Sequence, residues 1–287
     1  MINQVNGATK ILGIIGYPVR HSLSPVMQNA ALRACGLDYV YVPFEVAPEG
    51  LGSAVAGLKA LGVSGFNVTI PLKTEIMQYL DELDSSAETA GAVNTVKNDA
   101  GRLIGYNTDG DGLIRSLANE LGFDVRGASV ALLGAGGAAR GALAALCRSG
   151  ARRVVIANRT RERAVELASS IAHHFPATEL TVVSGFEELE ECLAEIDALV
   201  NTTSLGMIRD SPLPVRLDLL PRSAIVYDMI YAPPVTPLLR EALRLGLKGA
   251  NGLGMLASQG ELAFAIWTGT TPPFGLMKSV LDGISDC

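Results

Sequence analysis

The run Ser129-Val-Ala-Leu-Leu133, followed at once by Gly134-Ala-Gly136-Gly-Ala-Ala139, constrains the fold of this chain more than any other stretch. Five residues that read as a buried strand enter a G-x-G-x-x-A turn, and helix-forming residues 138–147 leave it. That strand–turn–helix setting is what gives the pattern weight over glycines that merely serve a turn. The reason is steric. Gly134 permits the tight turn, Gly136 lets backbone N–H groups approach a pyrophosphate, and the small Ala139 lets the helix pack closely on the strand. Strands over 153–157, near 180–183, over 198–200 and over 224–228 complete the count, alternating with helices over 161–172 and 186–193. A doubly wound α/β domain is expected at 114–255.

Upstream, short apolar runs alternate with amphipathic ones: strands over 11–16, 40–46 and 66–70, and helices over 25–35, 51–61 and 71–80. This is the beat of βαβ units and a parallel sheet. Two β-prone runs, 93–96 and 102–106, flank Asn98-Asp-Ala-Gly101, which has hairpin turn chemistry, so an antiparallel edge on a mostly parallel sheet is expected. Residues 255–268 and 274–284 are helical in period. They are expected to return to the first domain, giving domains at 1–113 with 256–287 and at 114–255.

Composition narrows the function. The 287 residues carry 23 basic and 29 acidic side chains, a net charge of −6, which argues against a nucleic-acid partner. A hydrophobic fraction of 48% supplies two cores. The start has no basic-then-apolar leader and no later apolar run reaches about 18 residues, so a soluble, unexported protein with no membrane partner is expected. Cys35, Cys147, Cys192 and Cys287 are scattered, without a C-x-x-C pair or a nearby His, which suits reduced thiols in a cytoplasm and gives no metal site. Asp109-Gly-Asp111 fails as a calcium loop because Leu113 stands where an oxygen ligand is required. His173 and His174 read as a solvated helix end, and Trp267 as core.

The strand after the glycine turn ends in Asn158-Arg159-Thr160, followed by Arg161 and Arg163. A fold that prefers NAD usually places a carboxylate here for the ribose hydroxyls. Its absence, with the planar fork of Arg159 and with Arg163 one helical turn on, suits a ribose 2′-phosphate and hence NADP(H). A solvated basic helix start is the alternative, and it applies most to Arg161.

Polar groups gather where the upstream strands end: Ser22, Ser24, Asn67, Thr69, Lys73, Asn94 and Asp109. Outside the carboxyl ends of strands such groups can converge on one cleft, and hydroxyls, amides, an ammonium and a carboxylate suit a small polyhydroxylated acid. The blocks His21-Ser-Leu-Ser-Pro25, Asn67-Val-Thr-Ile-Pro-Leu-Lys73, Gly91-Ala-Val-Asn-Thr95, Tyr106-Asn-Thr-Asp-Gly110, Gly134-Ala-Gly-Gly-Ala138, Asn158-Arg-Thr160 and Gly252-Leu-Gly-Met-Leu256 with Gln259 resemble the shikimate dehydrogenase family, in its order and over nearly the whole chain.

The resemblance implies two α/β domains, an N-terminal substrate domain with a mostly parallel sheet and a C-terminal Rossmann-like NADP-binding domain, with the active site between them. It implies NADPH-dependent reduction of 3-dehydroshikimate to shikimate, in aromatic amino acid biosynthesis. Carried over by motif, Ser22 and Ser24 would hold the substrate carboxylate. Asn67, Thr69, Lys73, Asn94, Asp109 and Gln259 would line the hydroxyl and keto side, with Tyr231 a further contact. Gly134, Ala135, Gly136, Gly137 and Ala138 would cradle the pyrophosphate, Asn158, Arg159, Thr160 and Arg163 the adenosine phosphate. Thr203, Met229, Gly252 and Met255 would flank the nicotinamide. Lys73 and Asp109 are the expected catalytic pair, since an ammonium can stabilise and protonate an oxygen that gains charge as hydride arrives. A quinate/shikimate enzyme with relaxed substrate or cofactor use, and a dinucleotide-sensing protein without turnover, are the rival readings. Oligomeric state is not fixed by the residues, and a homodimer stays open.

Overall fold

The computed structural model describes residues 5–207 and 214–285. Cys287 and the first four residues, on which parts of the sequence reading fell, lie outside the described residues. The chain divides into two compact units, Met1–Gly112 with Leu256–Cys287, and Leu113–Met255. The elements run β1 (Lys10–Gly16), α1 (Ser24–Ala34), β2 (Tyr39–Glu45), α2 (Leu51–Ala60), β3 (Gly65–Val68), β4 (Glu82–Leu83), α3 (Ser85–Ala90), β5 (Thr95–Asp99), β6 (Arg102–Tyr106) and α4 (Asp109–Leu121). Then come β7 (Ser129–Leu133), α5 (Gly137–Arg148), β8 (Arg153–Asn158), α6 (Arg161–Ala172), β9 (Glu179–Ser184), α7 (Gly185–Glu190), β10 (Ala198–Asn201), β11 (Ile225–Asp228), α8 (Pro237–Arg244), β12 (Lys248–Asn251), α9 (Leu253–Thr268) and α10 (Leu276–Ser285).

The first sheet has the order β2-β1-β3-β5-β6-β4. β1 pairs in parallel with β2 on one side and β3 on the other, so the direction of winding reverses between β1 and β3. The second sheet, β12-β11-β10-β7-β8-β9, is parallel throughout. Its winding reverses between β7 and β10. Ligands of open α/β sheets bind outside the carboxyl ends of strands at such reversals, which singles out the loops leaving β1, β3, β7 and β10.

The first core forms where β3, buried along its length, carries Phe66 and Val68 against Leu51, Val55, Leu72 and Ile76. Trp267 is packed as expected: its Nε1 donates to Val96 O at 2.9 Å. Gly65 makes room for it, since a Cβ there would run into the indole. In the second unit the strand residues Val130, Leu132, Val154 and Ile156 pack with Ala142 and Leu146.

Four expectations change. The antiparallel strand is interior: β5 runs against both β3 and β6, and the edge is the two-residue β4, parallel to β6. The turn between β5 and β6 is Ala100 and Gly101, both at positive φ (51° and 91°), the conformation whose twist matches that of the strands. Residues 71–80 are not an α-helix; a 3-10 turn covers Glu75–Tyr79. The Lys73 carbonyl accepts from Val93 N at 2.7 Å, so a tertiary partner takes an acceptor that a helix would use. The second sheet has a further strand, β12, preceded by α8. β12 reads Lys-Gly-Ala-Asn, without the β-branched or aromatic residues that mark strands, and its parallel pairing with β11 makes it one. Residues 186–193 divide into α7 and a 3-10 turn at Leu193–Glu195, because Cys192 N closes on Leu189 O at 2.9 Å, a tighter contact than α geometry.

Among the described residues Cys35, Cys147 and Cys192 are unpaired, no group of His, Cys, Asp and Glu side chains could hold a metal, and no helix is long and apolar enough to cross a membrane.

Candidate active site

In the first unit, the loops at the winding reversal carry Ser22, Ser24, Thr69 and Lys73. Ser24 opens α1, and its amide donates to Ser22 Oγ at 3.2 Å, which holds the two serines together. Thr69 leaves β3 with its amide on Ile15 O at 2.9 Å. Lys73 follows in the same loop. Its Nζ donates to Asp109 Oδ2 at 2.5 Å, across 36 residues of chain. Both side chains are largely shielded, at 21% and 11% exposure, so solvent screens the pair only in part.

Asn94 organises the opposite side of that carboxylate. Its Nδ2 donates to Asp109 Oδ1 at 2.7 Å and to Thr108 Oγ1 at 2.9 Å, and its Oδ1 accepts from Thr108 N at 2.8 Å. Gln259 Oε1, from α9, lies 3.5 Å from the same Nδ2. Asp109 N in turn donates to Asn107 Oδ1 at 3.1 Å. One carboxylate oxygen is thus fixed by an amide and the other by the ammonium. Lys73 Nζ makes no other hydrogen bond to a described residue, and an ammonium has three donors. Two remain for the oxygen of a ligand.

Asn107 and Thr108 were not singled out from the sequence. Their signal was their place in Asn107-Thr-Asp109, immediately ahead of a carboxylate that needs a fixed direction. Asn67 lies at the end of β3, buried, with Nδ2 donating to Asn94 O and to Thr95 Oγ1, each at 3.0 Å.

The second unit carries the residues expected on the cofactor side. Gly134 has φ of +107°, and a Cβ on it would meet Thr202 Oγ1 at 2.6 Å, so only glycine fits. Gly136 and Gly137 differ: a Cβ on either would meet no atom within 4 Å. The protein's own packing does not require them to be glycine. The open space lies over the first turn of α5, whose amide hydrogens have no partners within the helix, and this fits a pyrophosphate approached closely by backbone. Ala135 and Ala138 are half-buried beside it.

At the end of β8, Asn158 Nδ2 donates to Thr160 O at 2.8 Å. The arginines that follow divide by their contacts. Arg161 is engaged, with Nη1 on Val182 O at 3.2 Å and Glu188 at 3.9 Å. Arg159 and Arg163 are exposed and have no ion-pair partner among the described residues. These two are therefore available to a phosphate.

A buried carboxylate ties together the loops that carry the expected nicotinamide-side residues. Asp228, at the end of β11, accepts from Asn201 Nδ2 at 2.9 Å, Ile230 N at 3.1 Å and Thr236 Oγ1 at 2.6 Å. Asn201 Oδ1 accepts from Thr203 N and Thr203 Oγ1, at 3.0 and 2.8 Å, and Met229 N donates to Asn201 O at 3.0 Å. Gly252 allows its loop to press on Met229, where any Cβ would overlap the Met229 carbonyl. Met255 is half-buried in the first turns of α9, and Tyr231 is half-buried with its hydroxyl pushed above the usual tyrosine range by desolvation.

Burial raises the Asp228 carboxyl above its ordinary value of 3.8, outweighing the three donors that lower it. The folded state therefore binds this proton more tightly than the unfolded chain does. Its contribution to stability grows as pH falls through the raised value and is complete below the unfolded one. Relative to Asp228→Asn, the wild-type melting temperature should gain on lowering the pH from about 7 to about 4.5. A difference that moved the other way in calorimetry would mean that the donors outweigh burial.

The chain matches the family models described as Shikimate dehydrogenase substrate binding domain over residues 14–96, Shikimate / quinate 5-dehydrogenase over 116–209, and Shikimate 5′-dehydrogenase C-terminal domain over 252–281. It is 53% identical over 96% of both chains to shikimate dehydrogenase (NADP(+)) of Geobacter sulfurreducens. Among solved structures, a shikimate dehydrogenase in complex with NADP+ is 44% identical, with a TM-score of 0.89 over 98% of this chain and 97% of that one. The enzyme of Listeria monocytogenes, solved with shikimate and NAD, is 38% identical, with a TM-score of 0.91 over 98% and 99%.

Proposed function

From a chain that belongs to the shikimate dehydrogenase family, we propose that Lys73 and Asp109 are the catalytic pair of its reaction. The protein is an NADP-dependent oxidoreductase that reduces 3-dehydroshikimate to shikimate. The observation that carries the assignment of the pair is the contact of Lys73 Nζ with Asp109 Oδ2.

Bound NADPH supplies the hydride for the ketone carbon. The chain does the rest. The Lys73 ammonium lies against the ketone oxygen, offsets the charge that grows there and gives it a proton. Asp109 holds the ammonium in place, and Asn94, through the other carboxylate oxygen, holds Asp109. Ser22 and Ser24 bind the substrate carboxylate, and Asn67, Thr69, Asn94, Tyr231 and Gln259 its hydroxyl and keto side. The segment from Gly134 to Ala138 takes the pyrophosphate, and Arg159 and Arg163, with Asn158 and Thr160, the 2′-phosphate. Thr203, Met229, Gly252 and Met255 flank the nicotinamide. The unit that includes β1 to β6 is the substrate-binding catalytic domain, and the unit with β7 to β12 is the NADP-binding domain. A cytoplasmic location is supported by the unpaired Cys35, Cys147 and Cys192.

The test is a side-by-side assay of shikimate and quinate with NADP+ and with NAD+, followed at the reduced-nicotinamide band. Shikimate with NADP+ should be used best. Equal turnover of quinate would favour the relaxed enzyme, and equal use of NAD+ would remove the phosphate role of the arginines. No absorbance change with any pair would leave a sensor.

A further inference from the structure

Tyr41 is a buried tyrosine of the first unit whose hydroxyl reaches an expected substrate contact. β2 reads Tyr39-Val-Tyr-Val-Pro-Phe-Glu45, and within it Tyr41 is 1% exposed. Its backbone is clamped by Asn29 on α1: Asn29 Nδ2 donates to Tyr41 O at 2.8 Å, and Tyr41 N donates to Asn29 Oδ1 at 3.0 Å. Its ring rests 6.0 Å from that of Trp267, tilted by 45°. With backbone and ring both held, the hydroxyl has one place to be. It donates to Asn67 Oδ1 at 2.7 Å. A phenol has a single hydrogen, and Asn67 Oδ1 takes it.

This arrangement fixes what Asn67 can offer. Both amide hydrogens of Asn67 are committed, to Asn94 O and Thr95 Oγ1, and one acceptor position of Oδ1 is filled by Tyr41. The second acceptor position of Oδ1 is what remains. Burial holds the Tyr41 hydroxyl well above the ordinary tyrosine range, so it stays a donor at any working pH.

We propose that Tyr41 is a positioning and specificity-determining residue: by donating to Oδ1 it locks the Asn67 carboxamide in the orientation that accepts a hydrogen bond from a substrate hydroxyl. This rests on the reading of Asn67 as a substrate contact.

Tyr41→Phe keeps the ring and removes only the hydroxyl. It should raise KM for shikimate roughly 5- to 30-fold, because Asn67 Oδ1 then loses the donor that fixes the direction of its remaining acceptor position. The change in kcat should stay within about threefold, and KM for NADP+ should not move, since the reacting groups are untouched. Two further readouts separate positioning from general loosening. In an Asn67→Ala background, Tyr41→Phe should change KM by less than about twofold, the non-additivity of a residue that acts through its partner. Wild-type discrimination against the shikimate analogue that lacks the non-reacting hydroxyl read by Asn67 should shrink in Tyr41→Phe. If Asn67→Ala raised KM while Tyr41→Phe did not, or if its effect multiplied fully with Asn67→Ala, the positioning role would be overturned. If Asn67→Ala itself left KM unchanged, the failure would instead lie in the reading of Asn67 as a substrate contact.

Discussion

Lys73→Ala should lower kcat for shikimate oxidation by roughly 10²–10⁴ while KM for shikimate changes far less. The split follows from where the ammonium acts. Its charge matters most as charge develops on the reacting oxygen, so its loss falls mainly on the transition state and only weakly on ground-state binding. Two of its donors make no hydrogen bond to a described residue, while the third is on Asp109. Asp109→Ala should also cost turnover by leaving the ammonium undirected, and it should release the Asn94 amide that faces the other carboxylate oxygen. The double variant should lose less than the product of the two single losses, as coupled groups do. Steady-state kinetics of the three variants decide this. A Lys73→Ala enzyme with near-normal kcat and a large rise in KM would make Lys73 a binding residue only, and strictly multiplicative losses would make the two groups independent.

Arg159→Asp should raise the dissociation constant for NADP+ by roughly 10- to 150-fold, the loss of one charge-assisted hydrogen bond to phosphate plus repulsion by the new carboxylate. Affinity for NAD+ should change little. The guanidinium is exposed, so part of the effect should fade at high salt as the charges are screened. Arg161 is the internal control: it is already engaged with Val182 O and near Glu188, and Arg161→Ala should leave NADP+ binding close to wild type. Titration calorimetry with 2′,5′-ADP, which carries the phosphate but no nicotinamide, isolates the contact. Equal weakening of NADP+ and NAD+ in Arg159→Asp would mean that the residue holds the loop rather than the phosphate.

The arginine cluster shows how far composition alone carries. The sequence placed three arginines after a strand and favoured Arg159 and Arg163 over Arg161. The tertiary structure separated them by a physical cause, since β9 brings Val182 O, and α7 brings Glu188, to Arg161 alone. The same division holds for the substrate side. Ser22, Ser24, Asn67, Thr69, Lys73, Asn94 and Asp109 were legible where strands end, whereas Tyr231 and Gln259 came from the family resemblance, and the hub role of Asn94 and the presence of Tyr41 beside Asn67 were not legible. Both depend on which strands become neighbours.

What the sequence by itself determined is what local sterics determine. Gly134 sits at a positive φ that its turn demands, Gly101 supplies the left-handed backbone of the hairpin turn between β5 and β6, and the buried run of β7 reads as a strand from its side chains alone. The tertiary structure decided whatever needed an acceptor or a neighbour from far along the chain. Lys73 O is drawn to Val93 N, so residues 71–80 give up an α-helix. β12 becomes a strand because β11 offers it hydrogen bonds. Lys73 meets Asp109 across 36 residues because β3, β5 and β6 are adjacent in one sheet. Periodicity in a sequence reports only how a segment balances its own propensities and faces. The pairing of backbone donors with acceptors is settled over the whole fold, and in this protein that pairing brings the ammonium to its carboxylate.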